Sequence, residues 1–194
     1  MNHSILQGKR GIIFGALDEQ SIAWEVALAA KKAGAIFTLT NAPVAIRMGD
    51  IKSLAVICQC ELISADATNL EDIRNLINQS IQILGGSIDF VLHAVGMSPN
   101  VRKKRVYTNL DYSYFEKTLD ISALSFHKFL QTAWQMDALA PKASVVALSY
   151  IAAQKVFPGY GDMADAKATL ESIARNFGYY YGKKNGTRIN TISQ

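Results

Sequence analysis

The chain has 194 residues, 49% of them hydrophobic, with 20 lysines and arginines against 16 acidic residues and a formal net charge of +4. That content suits one globular domain with a core of its own, and no apolar run reaches the roughly 18–20 residues that cross a bilayer. The charges are scattered except at Arg102–Arg105, "RKKR", so neither a nucleic-acid nor a membrane partner is expected.

The N-terminal stretch "MNHSILQGKRGIIFG" has too short an apolar piece and no small-residue cleavage pattern for a secretory signal, so a cytoplasmic protein is expected. "RGIIFG" reads as a short buried strand ending in glycine, and "SIAWEVALAAKKAG" as a helix that stops at Gly34. "AIFTLT" is the second strand, and a helix follows Pro43, since proline suits a first turn. Cys58 and Cys60 fall in a segment read as extended. Their side chains would point to opposite faces there, which excludes a disulfide between them. With no further cysteine or histidine pair to complete a site, no metal is expected.

"ELISAD" is the third strand. "NLEDIRNLINQSIQILGG" is an amphipathic helix with Leu70, Ile73, Ile77, Ile81 and Leu84 on one face and Asn69 as its cap. "IDFVLHAVG" is a continuous apolar strand, Asp111–Met136 a long helical region, and "SVVALSY" the fifth strand. A helix is expected over Tyr160–Gly182, and "TRINTIS" as strand six. Strands apolar on both faces that alternate with helices imply a parallel sheet covered on both sides. The fold class is therefore α/β, a doubly wound Rossmann sheet of order 3-2-1-4-5-6, and ligands bind beyond the carboxyl ends of its strands.

Several residues stand at those ends. Gly15 lets the backbone turn closely, and Ser21 can cap the next helix or donate to a phosphate at its N-terminus. The turn lacks a GxGxxG pattern, so a plain strand-to-helix turn fits it equally. Asp66 can accept from an adenine amino group or cap the following helix. Gly96 permits close approach of a flat ring or ribose. His93 lies inside an apolar strand and reads as a core histidine. The "RKKR" run reads either as a solvated loop or as a docking point for an acidic partner or a phosphate.

Within "YGDMADAK", Tyr160 and Lys167 stand seven positions apart, nearly on one face of the expected helix. A lysine beside a phenol lowers its pKa and can donate to ribose hydroxyls, and the phenol can stabilise an oxyanion or deliver a proton. Two helix residues that merely coincide give the same spacing. Their place beside the expected cleft, with Tyr150 at the end of strand five, favours the chemical reading.

Together these residues resemble the short-chain dehydrogenase/reductase superfamily, and more narrowly its divergent branch, the bacterial enoyl-[acyl-carrier-protein] reductases. The common Tyr-x3-Lys pattern fails because position 164 is alanine. The Tyr-x6-Lys pattern with a second tyrosine ten residues upstream is present as Tyr150, Tyr160 and Lys167. "GKRGIIFG", "SIAW", "LHAVGMSP", "DISALSF" and "RINTIS" match in order along the whole chain. The resemblance implies reduction of an enoyl thioester on acyl carrier protein by NADH, in type II fatty acid biosynthesis. It implies Gly15, Ser21 and Ile22 at the cofactor pyrophosphate, Asp66 and Ala67 at the adenine, and Val95 and Gly96 along the ribose and nicotinamide. It further implies Lys167 on the ribose, Tyr160 on the enolate oxygen, Tyr150 positioning the acyl chain, and Ser98 near the substrate. A homotetramer is implied as well.

Two departures stand out. Glu25 replaces a helix glycine that follows "SIA-aromatic" in many members, which bears on packing near the pyrophosphate. Members also continue beyond the equivalent of Gln194, so residues 1–194 are expected to form a single dinucleotide-binding domain truncated before the substrate loop and last strand. No positive charge follows strand two until Arg47, so NADH is expected over NADPH. Two alternatives remain: an inactive dinucleotide-binding module of the same fold, and a ketone or alcohol dehydrogenase of the same superfamily, which Ala164 disfavours.

Overall fold

The structure is a computed structural model and describes residues 4–193. Six parallel strands form one sheet in the order β3-β2-β1-β4-β5-β6. They are β1 (Arg10–Phe14), β2 (Ile36–Asn41), β3 (Leu62–Ser64), β4 (Ile88–His93), β5 (Leu139–Ser149) and β6 (Arg188–Ser193). Alternate side chains enter two separate cores. Ile12 and Phe14 of β1, with Val91, Val145 and Ala147, pack under α4 (Leu70–Leu84), α7 (Ser125–Gln135) and α8 (Asp162–Asn185). Ile13, Phe37, Leu39 and Leu92 pack under α1 (Ile22–Lys32) and α3 (Ile51–Cys58) on the other face. Burial on both faces is what requires the near-continuous apolar strands.

The local elements follow the sequence with a few instructive differences. Asn69 caps α4 by accepting from the N–H groups of Glu71 and Asp72. Ile73 and Ile77 are buried and Ile81 and Leu84 pack against the core, but Leu70, in the first turn, is exposed. After Pro43 there are two short helices, α2 (Pro43–Met48) and α3, separated at Gly49 and Asp50. Cys58 closes α3 and Gln59 turns left-handed, so the two cysteines do not share an extended segment. Both are free thiols.

A four-residue helix, α5 (Pro99–Arg102), follows β4. The long helical region is α6 (Tyr112–Leu119), a π turn over Asp120–Leu124, and α7. The helix expected from Tyr160 begins instead at Asp162, because Gly161 (φ 52°, ψ −139°) breaks it in a conformation confined to glycine. Among the described residues no helix is long and apolar enough to cross a membrane.

Candidate active site

Parallel strands bring the ends of β1, β3, β4 and β5 to one edge. From β3 to β5 that edge spans four inter-strand steps, about 19 Å. The turn after β1 is tight. Gly15 has φ 90°, and a Cβ there would strike the Ala94 carbonyl oxygen, so β1 and β4 can lie this close only with glycine. Ser21 does not cap α1. Its hydroxyl donates to the Asp18 carbonyl (2.6 Å) and accepts from the Leu17 N–H (3.1 Å), which shapes the 17–21 turn instead. The side-chain cap position of α1 is therefore left open, and while the Trp24 N–H donates to the Ser21 carbonyl, those of Ile22 and Ala23 lie beyond the reach of intrahelical carbonyls. Ile22 is exposed at this end. Glu25 is exposed too and disturbs no packing, which Ala23, Trp24, Ala27 and Ala30 supply.

At the far end, Asp66 neither caps the helix nor stands free. Its Oδ1 accepts from the Thr68 N–H and hydroxyl at 2.9 and 2.7 Å, while Asn69 does the capping. Ala67 is buried beside it. Asn41 closes β2 by donating to the Ala16 carbonyl.

The opposite half holds Lys167, Tyr150 and Tyr160. Lys167 is 7% exposed, and its ammonium donates to the Leu148 carbonyl at 2.6 Å, leaving two donors for other partners. Burial draws its pKa down to about 8. Gly96 is exposed and bare of side chain, with Lys167 Nζ 3.7 Å from where its Cβ would stand and Met163 and Ser122 just beyond. Val95 packs against the core next to it. His93 is buried between Phe14 and Phe126. Its Nε2 donates to Ser125, whose own proton goes to the Ile121 carbonyl. Burial, helped by the Lys167 charge, lowers its pKa to about 3, so it is a neutral core histidine.

Tyr150 and Tyr160 face each other with ring centroids 4.5 Å apart, and Phe157 packs on Tyr150 at 5.3 Å. Tyr160 sits in the loop before α8 rather than on it, so helical phasing does not relate it to Lys167. The expected lowering of its pKa is not found. Burial, and then Tyr150, raise it, so this phenol holds its proton and serves as a donor.

Ser98 is buried, and its hydroxyl is committed inward. It donates to Asp162 Oδ1 at 2.6 Å and accepts from the Val101 N–H, capping α5, so it does not offer that hydroxyl to a substrate. This exposes a cluster that spacing did not reveal. Asp162, wholly buried at the start of α8, accepts from Ser98, from Asn100 (2.8 Å) and from Thr118 (2.8 Å). Asn100 also exchanges hydrogen bonds with the backbone of Asp111. One carboxylate thus ties α5, α6 and α8 together directly after Tyr160 and Gly161. Glu171 plays a parallel part, accepting from Ser149 (2.7 Å) and Gln154 (3.2 Å) and holding the segment around Tyr150. Ser122 in the π turn bonds the Met97 backbone and fixes the loop after Gly96. Asp162, the first of two acids after Tyr160 in "YGDMADAK", was the one available hint of the cluster.

The family model described as Enoyl-(Acyl carrier protein) reductase matches residues 15–194. The chain is 35% identical over 194 residues to the enoyl-[acyl-carrier-protein] reductase [NADH] FabI of Rickettsia bellii, covering all of this chain and 72% of that one. It is similar to the crystal structure of FabI from Alistipes finegoldii (58% identity, TM-score 0.96, 99% of this chain and 74% of that chain). It is also similar to the FabI–NADH complex from Alistipes finegoldii (59% identity, TM-score 0.97, 98% and 68%).

Proposed function

The chain belongs to the enoyl-(acyl carrier protein) reductase family, and on that premise we propose that it reduces the 2,3 double bond of an enoyl thioester borne by acyl carrier protein, using NADH, in fatty acid biosynthesis. The observation that carries this reading is the protonated Tyr160, packed against Tyr150, at the same sheet edge as a buried Lys167 with donors to spare.

The residues suit a dinucleotide. The edge from β3 to β5 has the right span, the start of α1 offers N–H groups to a diphosphate, and bare Gly96 beside the Lys167 ammonium leaves room for a ribose and ring. In this assignment Gly15, Ser21 and Ile22 frame the diphosphate, and Asp66 and Ala67 flank the adenine. Val95 and Gly96 lie along the nicotinamide half, and the two remaining Lys167 donors take ribose hydroxyls. NADH, when bound, supplies a hydride to the β-carbon. Tyr160 would donate its hydrogen bond to the thioester oxygen as that atom gains enolate charge, which is the moment at which a fixed donor is worth most, and the enolate would then take a proton from solvent at the α-carbon, which completes the saturated thioester. Tyr150 and Phe157 set the direction of the Tyr160 ring and border the acyl chain.

The reading extends to one dinucleotide-binding unit over the whole chain, a cytoplasmic location and a homotetramer. Absorbance at 340 nm tests it: NADH is consumed when crotonyl thioester is added, and faster than NADPH. No consumption with either nucleotide overturns it.

A further inference from the structure

Lys128 takes no part in the chemistry above. It stands on α7, and its ammonium donates to the Asp120 carboxylate at 2.6 Å and to the Thr68 carbonyl at 2.8 Å, the latter 60 residues away along the chain. An ion pair whose side chains are 26% and 40% exposed adds little to stability. The second bond, to the loop after β3, gives this lysine a more specific part.

That loop is otherwise held by itself and by α4. The Asp66 N–H donates to Asp72, Asp66 Oδ1 accepts from the Thr68 N–H and hydroxyl, and the Asn69 N–H donates to the Asp66 carbonyl. Among the described residues, Lys128 makes the one hydrogen bond that reaches residues 66–69 from beyond the loop and α4. Thr68 is thus gripped at both ends. Its N–H and hydroxyl set the Asp66 carboxylate, and its carbonyl is set by Lys128. Asp66 Oδ2 has no hydrogen-bond partner among the described residues and is free to accept. The far end of the brace is firm. Asp120 opens the π turn, whose Ser122 holds the Met97 backbone next to Gly96. One turn therefore anchors the loops at both ends of the proposed dinucleotide site.

We propose that Lys128 is a positioning residue for the adenine end: by holding the Thr68 carbonyl against α7 and Asp120, it keeps the Asp66 carboxylate where the adenine amine donates. The inference rests on the assignment of Asp66 to the adenine in the NADH reading above. Recognition of the amine then depends on a cation that does not touch the nucleotide. A hydrogen bond to a carboxylate is strong only at short range and good alignment, so a loop free to swing forfeits it.

The test compares NADH with deamino-NADH, its hypoxanthine analogue, which carries an oxo group in place of the amine. Dissociation constants come from isothermal titration calorimetry of the whole chain. The parent is expected to bind NADH about 10-fold more tightly than the analogue, the usual contribution of one hydrogen bond to a charged group. Lys128→Met keeps the length of the side chain and removes both of its bonds. It should weaken NADH binding by about 10-fold and that of the analogue by less than about 2-fold, because the analogue has no amine to lose. A general loosening of the fold, or the loss of a distant charge felt by the diphosphate, would weaken both nucleotides equally. Should Lys128→Met not fold, Asp120→Asn takes its place, with a loss of about 3-fold expected on NADH alone. Equal losses on the two nucleotides, no loss on NADH, or a parent that does not prefer NADH overturns the proposal. The readout needs no turnover. A chain inactive on crotonyl thioester that still shows the selective loss would sink the reductase reading and leave this one standing, and an active chain whose NADH affinity ignores Lys128→Met would do the reverse.

Discussion

Tyr160 and Lys167 are each shaped by burial, with opposite consequences. Burial raises the phenol pKa and lowers that of the ammonium, because each group's charged form loses water. Tyr160 is thereby kept as a donor. Tyr160→Phe should lower kcat by about 10²-fold while leaving NADH affinity nearly as it was, since the hydroxyl matters once charge develops. Single-turnover rates and equilibrium titration separate the two. Lys167 titrates in a measurable range. Between about 8 and its ordinary 10.5 the folded chain holds it neutral while the unfolded chain keeps the proton. The unfolded state then binds more protons, so this group's share of stability rises with pH across that window. Its donor charge is lost over the same window, so NADH affinity should fall as pH climbs past about 8. Lys167→Arg, which stays charged, should flatten that fall even if its geometry weakens binding at neutral pH. A pH-independent parent would contradict the ribose role.

At the scale of elements, the start of α8 is the joint on which the tyrosine depends. Asp162→Ala would strand buried donors on Ser98, Asn100 and Thr118, at a cost of about 3 kcal/mol and a fall in Tm of about 10 °C. Asp162→Asn should fall between, because its amide NH2 meets the NH2 of Asn100. Gly161→Ala has room for the methyl but not for the backbone angle, and should cost about 1–3 kcal/mol. Melting curves of the three variants check the ranking, and a parental Tm for Asp162→Ala would remove the cluster from the account.

This joint also marks where the sequence stopped being readable. The strands were legible because burial on both faces forces apolar runs, and α4 because Asn69 and its period of buried isoleucines announce it. Residues 160–167 read as one helix in the sequence, but Gly161 breaks it in a conformation confined to glycine, and the bonds that Asp162 accepts from Ser98, Asn100 and Thr118 join segments far apart in the sequence, which no local pattern encodes. Tyr150, Tyr160 and Lys167 were singled out by spacing, and the structure puts the two tyrosine rings in contact but sets Tyr160 off the helix that carries Lys167. The hydroxyls of Ser98 and Ser21 could not be assigned, since inward and outward rotamers leave the same letters.

For the whole molecule, the sheet order follows from alternating strands and helices and is found as expected. The proposed tetramer draws on α7 and α8, but on fewer residues than their composition suggests. Phe126 and Phe129 are buried in the chain's own core, which leaves Leu124, Tyr179 and Tyr180 exposed, and Tyr180 lines a hollow of about 370 Å³ with His127, Ile173 and Phe177. Light scattering should give four times the 21.2 kDa chain, and Tyr180→Glu should shift it toward monomer. A parent that is monomeric at all concentrations would count against the assembly.

The proposed activity turns on hydride delivery to the β-carbon of an enoyl thioester at the Tyr160–Lys167 edge. Incubation of the chain with crotonyl thioester and NADH deuterated at C4 of the nicotinamide, followed by mass spectrometry and NMR of the product, tests it directly. The expected product is butyryl thioester with one deuterium at C3, and its signal should nearly vanish in Tyr160→Phe. Deuterium at a reduced carbonyl carbon, or recovered crotonyl thioester with unconsumed NADH, would contradict it.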